Sequence, residues 1–253
     1  MTLLDVRSPD SAAPAAHVLP TADAAPAACI RPAATADSPP PRIRSTVVGF
    51  APAFVPYAEG LALQAAATAR LEAGADRGEL LLLEHEAVYT AGRRALPEEH
   101  PIDGTPVVPV SRGGKVTWHG PGQLVGYPIV RLREPRAVVD FAHALERELI
   151  ETARALGVKA LAVPGRTGVW AVDRGAPVKI GQIGLSARRG VIGHGFALNC
   201  SNALEPFAAI VPCGITDAGV GSLSSVLGRR VEPVDVLPEL LPRLERMLEE
   251  LAS

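Results

Sequence analysis

Residues 107–130 read VVPVSRGGKVTWHGPGQLVGYPIV, and this stretch places a glycine-rich ribbon between two apolar runs. The runs Val107–Val110 and Leu124–Val130 predict β-strands. Between them, residues 112–123 contain four glycines and one proline, so the backbone can bend sharply and approach a ligand closely. Charged and hydrogen-bonding side chains share this ribbon, and a packed core has little use for them. The stretch therefore predicts two strands that flank a ligand-binding ribbon.

Further strands are predicted on both sides of this stretch, mostly in neighbouring pairs. Ser45–Phe50 has the pattern of an edge strand, and the short apolar run Glu79–Glu84 is typical of a buried strand. Val169–Val172 and Val178–Leu185 predict a hairpin, which Val191–Asn199 follows after a tight Arg-Arg-Gly turn.

Three segments have the periodicity of helices. Leucines and alanines recur at helical spacing in Tyr57–Ala73, and Arg136–Leu156 has an apolar stripe with a residue every three or four positions. Pro233–Leu251 predicts an amphipathic helix that begins at a proline, where a helix tolerates one. The glycine, proline and charge clusters of Gly92–Pro106 predict a loop. This order favours an α+β domain, a mixed β-sheet with flanking helices, over a strictly alternating parallel fold.

Composition divides the chain into two parts. Residues 1–43 hold twelve alanines and eight prolines without an apolar period. We expect them to form a disordered tail, because they have too few large side chains to offset the entropy of ordering. Asp5, Pro9 and Asp10 interrupt any apolar run there, so we expect no secretory signal. Residues 44–253 are expected to form the catalytic domain.

The composition also argues against several classes of protein. No stretch reaches the roughly 20 apolar residues of a membrane span, and the net charge of −2 gives no reason to expect nucleic acid. The three cysteines form neither a disulfide framework nor a zinc pattern. The histidines lack metal-ligand spacing, and there is no Walker loop. We expect a cytoplasmic protein that needs neither a metal nor another cofactor.

Five ordered motifs resemble those of the lipoyl(octanoyl) transferases, from about Ser45 to the C-terminus. They are Leu80–Arg94 (LLLLEHEAVYTAGRR), the ribbon at 112–123, Lys179–Gly184 (KIGQIG), His194–Asn199 (HGFALN) and Val211–Ile215 (VPCGI). The resemblance implies a fold like that of biotin and lipoate ligases. It also implies transfer of an octanoyl group from acyl carrier protein to a lysine of lipoyl domains, the first step of endogenous protein lipoylation. The implied acceptors are the lipoyl domains of 2-oxoacid dehydrogenase complexes and the glycine cleavage H protein.

Cys213 is the candidate nucleophile. Proline and glycine flank it, which suits an exposed bend that presents a thiol to a cleft. The alternative for any free cysteine is a small buried hydrophobe, which we assign to Cys200 in its strand-like run. Cys29 lies in the expected tail and receives no role. The resemblance makes Cys213 the acyl-thioester residue and pairs it with Lys179.

Lys179 begins an apolar run, so its amine is predicted to lie in a partly desolvated cleft. There it would act either as a base with a lowered pKa or as an ammonium that stabilises the Cys213 thiolate. The sequence leaves both descriptions open.

The resemblance implies that three segments contact the acyl substrate, and their glycines leave backbone N–H groups accessible to an oxyanion. His119 and His194 either help to bind the substrate or cap turns, and His194 is the weaker candidate. The Gly-Gln pair at 181–182 departs from the family's more frequent Ala followed by Ala or Ser, which leaves chain-length selectivity open. The implied substrate-binding residues are Arg112, Gly113, Gly114, Lys115, Val116, Thr117, Trp118, His119, Gln182, Ile183, Gly184, Gly195, Phe196 and Ala197.

Two rival functions remain open. A lipoate or biotin ligase would activate its acid with ATP, but the Gly-Arg-Gly-Arg-like loop of biotin ligases is missing and Cys213 would be superfluous. A non-catalytic protein that only binds acyl carrier protein would not need Cys213 and Lys179.

The doublets Arg93–Arg94 and Arg188–Arg189 are read first as solubilising charge, and second as a basic patch that would attract an acidic carrier protein.

Overall fold

The computed structural model describes residues 42–101, 105–134, 137–210 and 217–253. The helices within these ranges are α1 (Tyr57–Glu72), α2 (Val138–Ala155), α3 (Leu223–Leu227) and α4 (Pro233–Leu251), with 3-10 turns at Pro97–Glu99 and Glu205–Ala209. The strands are β1 (Arg44–Gly49), β2 (Gly78–Leu83), β3 (Val88–Ala91), β4 (Val107–Pro109), β5 (Val116–His119), β6 (Gln123–Val130), β7 (Leu161–Val163), β8 (Arg166–Asp173), β9 (Ala176–Arg188), β10 (Val191–Asn199) and β11 (Gly219–Val220).

The main sheet is mixed, as the sequence predicts. Its strands run in the order β1-β2-β6-β10-β9-β8-β7. β1 is parallel to β2, and the other neighbours along this path are antiparallel. β11 pairs in parallel with β9 at Val178 and Lys179, just beyond the part of β9 that pairs with β10. The α+β prediction is confirmed.

Helices cover both faces of this sheet. The apolar stripes of α2 and α4, which include Phe141, Leu145, Leu240 and Leu244, pack on one face in the larger core. α1 packs through Ala67 on the opposite face, in a smaller core. β2 is buried along its whole length because it lies between these two layers, which explains its apolar run Leu80–Leu83.

A second sheet has the order β4-β3-β5 within the described residues. It contains part of the glycine-rich ribbon, because Val116–His119 pairs antiparallel with Val88–Ala91. The sequence predicts neither β3 nor β5 as a separate strand, since each is four residues long and is stabilised by pairing with a distant segment.

Two predictions from the sequence fall outside the described residues. The expected tail at 1–43 is described only from residue 42, and Val211–Ile215 with Cys213 is not described. In the ranges that are described, every helix is too short or too polar to span a membrane.

Candidate active site

The ribbon and the main sheet enclose a cleft that is open to solvent and has an empty volume of about 490 Å³. The predicted residues that line it are Arg112, Gly113, Gly114, Lys115, Thr117, His119, Gln182, Ile183, Gly184, Gly195, Phe196 and Ala197. The three segments implied by the resemblance are therefore brought together from β5, β9 and β10.

Val116 and Trp118 are the two predicted binding residues that do not line this cleft. Because side chains alternate along a strand, those of β5 at these positions point to the opposite side. There they pack with Phe207 and Ile210 in a separate apolar cluster. The structure therefore gives these two residues a packing role that holds the ribbon in place.

The buried guanidinium of Arg112 organises the ribbon. Its Nη2 donates to the backbone oxygen and to Oγ1 of Thr90, each at 2.7 Å. Its Nη1 donates to the carbonyl oxygens of Gly113 at 3.0 Å and Lys115 at 2.8 Å. The ribbon is fastened to β9 by the Gly113 N–H, which donates to the Leu185 oxygen at 2.8 Å. The ribbon thus has a fixed shape around one cation.

One part of the cleft wall is apolar and another part is polar. Val125 and Ala197 supply apolar side chains to it, whereas Ile183 and Phe196 line the cleft from strand positions whose side chains pack in the larger core. In the described structure, Oγ1 of Thr117 and Oε1 of Gln182 are buried with no hydrogen-bond partner, although both residues line the cleft. Buried polar atoms of this kind are costly unless a ligand or water pairs with them. The arrangement suits a ligand with an alkyl chain and a polar head.

Tyr57, Val125 and Tyr127 also line the cleft, and the sequence analysis misses them. Val125 and Tyr127 alternate on one face of β6, so strand periodicity identifies them as a pair but not the face they occupy. Tyr57 begins α1 and comes from the other side of the cleft. No local signal in the sequence predicts that it reaches the ribbon.

Three histidines form a buried group under and beside the cleft. Burial lowers the pKa of His119 to about 3, with additional effects of His85 and Arg112. Burial also lowers the pKa of His85 and that of His194 to about 4 each. His194 has a left-handed backbone, with φ of 56°, and its N–H donates to Oε1 of Gln64 at 3.0 Å. All three rings are therefore neutral near pH 7.

Lys179 lies on the same face of the main sheet as the cleft, although it is not among the described residues that line it. The register of β8 and β9 shifts between Val169 and Trp170, which leaves Ile180 as an extra residue. The Ile180 side chain faces the larger core, and a Cβ placed on Gly181 would face it as well, next to Val169 and Leu198. This bulge turns Lys179 to the side of Gln182 and Gly184.

The Lys179 amine is buried among groups that suit a cation. Nζ donates to the backbone oxygen of Thr167 at 2.7 Å and lies 5.5 Å from the Trp170 ring centroid. Gly168 makes room for this side chain, because a Cβ there would lie 2.5 Å from Cε of Lys179.

The chain returns from the segment that contains Cys213 to a point directly beside Lys179. Asp217 forms two hydrogen bonds with Arg166, at 2.8 and 2.6 Å. Val220 then pairs with Lys179, and the Gly221 N–H donates to the Lys179 oxygen at 3.1 Å. Cys213 precedes Asp217 by four residues, a length of chain that spans at most about 14 Å.

Cys200 has the buried role that the sequence analysis assigns to it. It is fully buried, its Sγ donates to the Leu198 oxygen at 3.4 Å, and burial raises the pKa of its thiol. The four arginines of the two doublets are exposed. Across the described ranges, no three histidine, cysteine or carboxylate side chains are placed so that they could hold one metal ion.

Comparisons with known proteins agree with this geometry. Residues 56–245 match the model of the lipoyl protein ligase A/B catalytic domain. An octanoyltransferase of Clavibacter sepedonicus is 53% identical over 207 residues, which cover 80% of this chain and 89% of that protein. An octanoyltransferase of Paenarthrobacter aurescens is 46% identical over 208 residues, covering 81% and 94%.

Solved structures show the same fold at low sequence identity. A lipoate-protein ligase A bound with ATP superposes with a TM-score of 0.60 at 15% identity, covering 83% of this chain and 86% of that one. A bi-partite lipoate protein ligase from Thermoplasma acidophilum gives 0.58 at 16% identity, covering 83% and 84%. The chain therefore belongs to the lipoyl protein ligase A/B catalytic domain family and, within it, to the octanoyltransferases, which are acyltransferases.

Proposed function

We propose that this enzyme takes the octanoyl group from acyl carrier protein, holds it as a thioester on Cys213, and passes it to a lysine of a lipoyl protein. The proposed acceptors are the lipoyl domains of 2-oxoacid dehydrogenase complexes and the glycine cleavage H protein. The proposed location is the cytoplasm.

The pairing of β11 with β9 is the observation that supports this proposal most directly. The chain that leaves the Cys213 segment pairs with β9 at Val178 and at Lys179, the residue that the resemblance pairs with Cys213. Lys179 is buried on the cleft side of the sheet, so an anionic sulfur near it would face a cation at low local dielectric. A positive charge close to a thiol favours the thiolate over the thiol.

In the first step, the Cys213 thiolate attacks the carbonyl carbon of the octanoyl thioester. The bond to the phosphopantetheine sulfur breaks, and that sulfur leaves as a thiolate and takes up a proton. In the second step, a neutral lysine amine attacks the acyl-enzyme. The bond to the Cys213 sulfur breaks, the amine loses a proton, and an amide forms. Each step exchanges acyl groups, so it needs no ATP and no metal.

The cleft supplies the substrate contacts in this proposal. Its apolar wall receives the octanoyl chain, and the backbone of the glycine segments approaches the thioester without obstruction by side chains. Thr117 Oγ1 and Gln182 Oε1 are the polar atoms with capacity to bond the head of the substrate or the carrier arm.

Intact-mass analysis tests the nucleophile. We expect the protein to gain one octanoyl group when it is mixed with octanoyl-acyl carrier protein in the absence of ATP and with EDTA. Cys213→Ser should prevent this gain, because a serine hydroxyl lacks the acidity and nucleophilicity of a thiol. Cys200→Ser is the matched control and should keep the adduct. An adduct that survives in Cys213→Ser and disappears in Cys200→Ser would overturn the assignment.

A further inference from the structure

A buried row of side chains joins the ribbon to the chain that follows the Cys213 segment. His119 Nδ1 lies 2.7 Å from Oε1 of Gln123, and Nε2 of Gln123 lies 2.9 Å from Oδ1 of Asn199. Nδ2 of Asn199 in turn donates to the Gly221 oxygen at 2.8 Å. Gln123 and Asn199 are fully buried, and the sequence analysis assigns a role to neither.

The Gly221 end of this row fixes the direction of the hydrogen bonds from Asn199 through Gln123 to His119. At one end, the backbone oxygen of Gly221 can only accept, so Asn199 must present its NH₂ group there and its Oδ1 to Gln123. Gln123 must then donate from Nε2, and its second Nε2 hydrogen goes to the Trp118 oxygen at 3.2 Å. This leaves Oε1 of Gln123 as an acceptor towards His119.

The other end of the row is compatible with the same direction. Arg112 can only donate, and its Nη2 bonds Oγ1 of Thr90. The Thr90 hydroxyl keeps its own hydrogen for Nε2 of His119, at 3.5 Å the longest contact of the row. The Gly221 end therefore requires the proton of neutral His119 on Nδ1, and the Thr90 hydroxyl can donate to the lone pair that this leaves on Nε2.

We infer that Gln123 and Asn199 are positioning residues that hold His119 in its Nδ1–H tautomer and tie this tautomer to the placement of Gly221. The Gly221 N–H bonds the Lys179 oxygen, so the same row connects the ribbon with the β11–β9 pairing. An amide at position 199 is needed because it accepts on one side and donates on the other. The tautomer stands on these contacts alone, whereas the positioning role for acyl transfer rests on the proposed function.

Nitrogen NMR of protein labelled in its histidine rings measures the tautomer directly. We expect the His119 signals, assigned by their loss in His119→Gln, to show a protonated Nδ1 and an unprotonated Nε2 at pH 7. A protonated Nε2 would overturn the inference whatever the activity of the enzyme.

Kinetics of adduct formation test the positioning role. Asn199→Asp keeps the shape of the side chain but removes the donor to Gly221, and we expect it to slow acylation about tenfold with little change in the KM for octanoyl-acyl carrier protein. Asn202→Asp is the matched control, because the Asn202 amide is also buried and donates only to the adjacent Ala203 oxygen in the described structure. It should stay within about twofold of the wild type.

The outcomes separate the two proposals. If Cys213→Ser still forms the adduct, the proposed nucleophile falls while the tautomer result stands. If Asn199→Asp acylates at the wild-type rate, the positioning role falls while the nucleophile stands. Should Asn199→Asp fold poorly, Gln123→Glu serves instead, because a carboxylate can accept from His119 but cannot donate to Asn199. An unchanged acylation rate in Gln123→Glu would overturn the positioning role equally.

Discussion

Lys179 is held by contacts that tolerate little change in its side chain. The Thr167 carbonyl and the Trp170 ring face the amine, and Gly168 packs against the aliphatic stem. An ammonium suits these contacts, and on this ground we propose that Lys179 stabilises a thiolate electrostatically.

Replacing Lys179 tests whether it activates Cys213. Lys179→Ala should raise the apparent pKa of the Cys213 thiol and slow its alkylation near neutral pH, because the nearby positive charge is lost. The measurement is the pH dependence of iodoacetamide labelling in a chain that also carries Cys29→Ser and Cys200→Ser. An unchanged profile would remove Lys179 from the mechanism. Partial recovery in Lys179→Arg would identify the role as electrostatic, since a guanidinium cannot accept a proton at ordinary pH.

At the scale of the element, Gly168 near the start of β8 offers a second way to move Lys179 without changing it. Gly168 has φ of 131°, and a Cβ there would meet Cε of Lys179 at 2.5 Å and the Gly181 oxygen at 2.4 Å. We expect Gly168→Ala to destabilise the fold by about 1–3 kcal/mol and to slow adduct formation. Urea unfolding and intact-mass kinetics measure the two effects.

Gly165→Ala is the control for this change. Gly165 lies in the turn between β7 and β8, three residues before Gly168, with φ of 75°, and a Cβ there would meet nothing within 4 Å. It should therefore show the cost of backbone strain without displacing Lys179. Equal slowing of adduct formation in both variants would show that backbone strain near the start of β8, and not the position of the amine, sets the rate.

The elements that could be predicted from sequence are those whose pattern is local. α4 begins and ends where its apolar period predicts, and β9 and β10 follow the predicted hairpin and turn. β3 and β5 are missed because their stability comes from pairing across 29 positions of chain, as between Tyr89 and Trp118. The bulge at Ile180 is likewise invisible in the sequence, because it exists only in the register against β8. For this reason the motifs predict the candidate site residues, while the face that Lys179 occupies requires the fold.

Elements from both sheets contribute the buried histidines, and their titration affects the stability of the fold. The pKa values of His85, His119 and His194 lie at about 4, 3 and 4 in the folded chain against 6.5 for an ordinary histidine. The unfolded chain therefore binds more protons between about pH 6.5 and 4, so stability is fully present above this window and is lost as the pH falls through it. Once its ring is protonated in the unfolded chain, each histidine adds about 1.4 kcal/mol per pH unit to the slope of the free energy of unfolding against pH.

Urea unfolding between pH 7 and 5 measures this slope. His194→Gln should reduce it by about one histidine's share, or about 1.4 kcal/mol per pH unit. His100→Gln, a change at an exposed ring, is the control and should leave it unaltered. A free energy of unfolding that does not fall with pH in the wild type would contradict neutral, buried rings.

At the scale of the whole molecule, the described residues that line the cleft run from Tyr57 at the start of α1 to Ala197 in β10. The tail predicted at 1–43 is expected to add no packing up to residue 41, because its alanines and prolines offer little apolar area to bury. Removal of residues 1–41 should therefore leave the melting temperature and the rate of octanoyl transfer essentially unchanged.

The deletion must stop there, because the Ile43 N–H donates to Oε1 of Glu249 at 3.1 Å and the Ile43 side chain joins the larger core. A second deletion through residue 43 is the matched comparison and should lower the melting temperature through loss of these contacts. A loss of the same size in the shorter deletion would show that the tail itself packs on the domain.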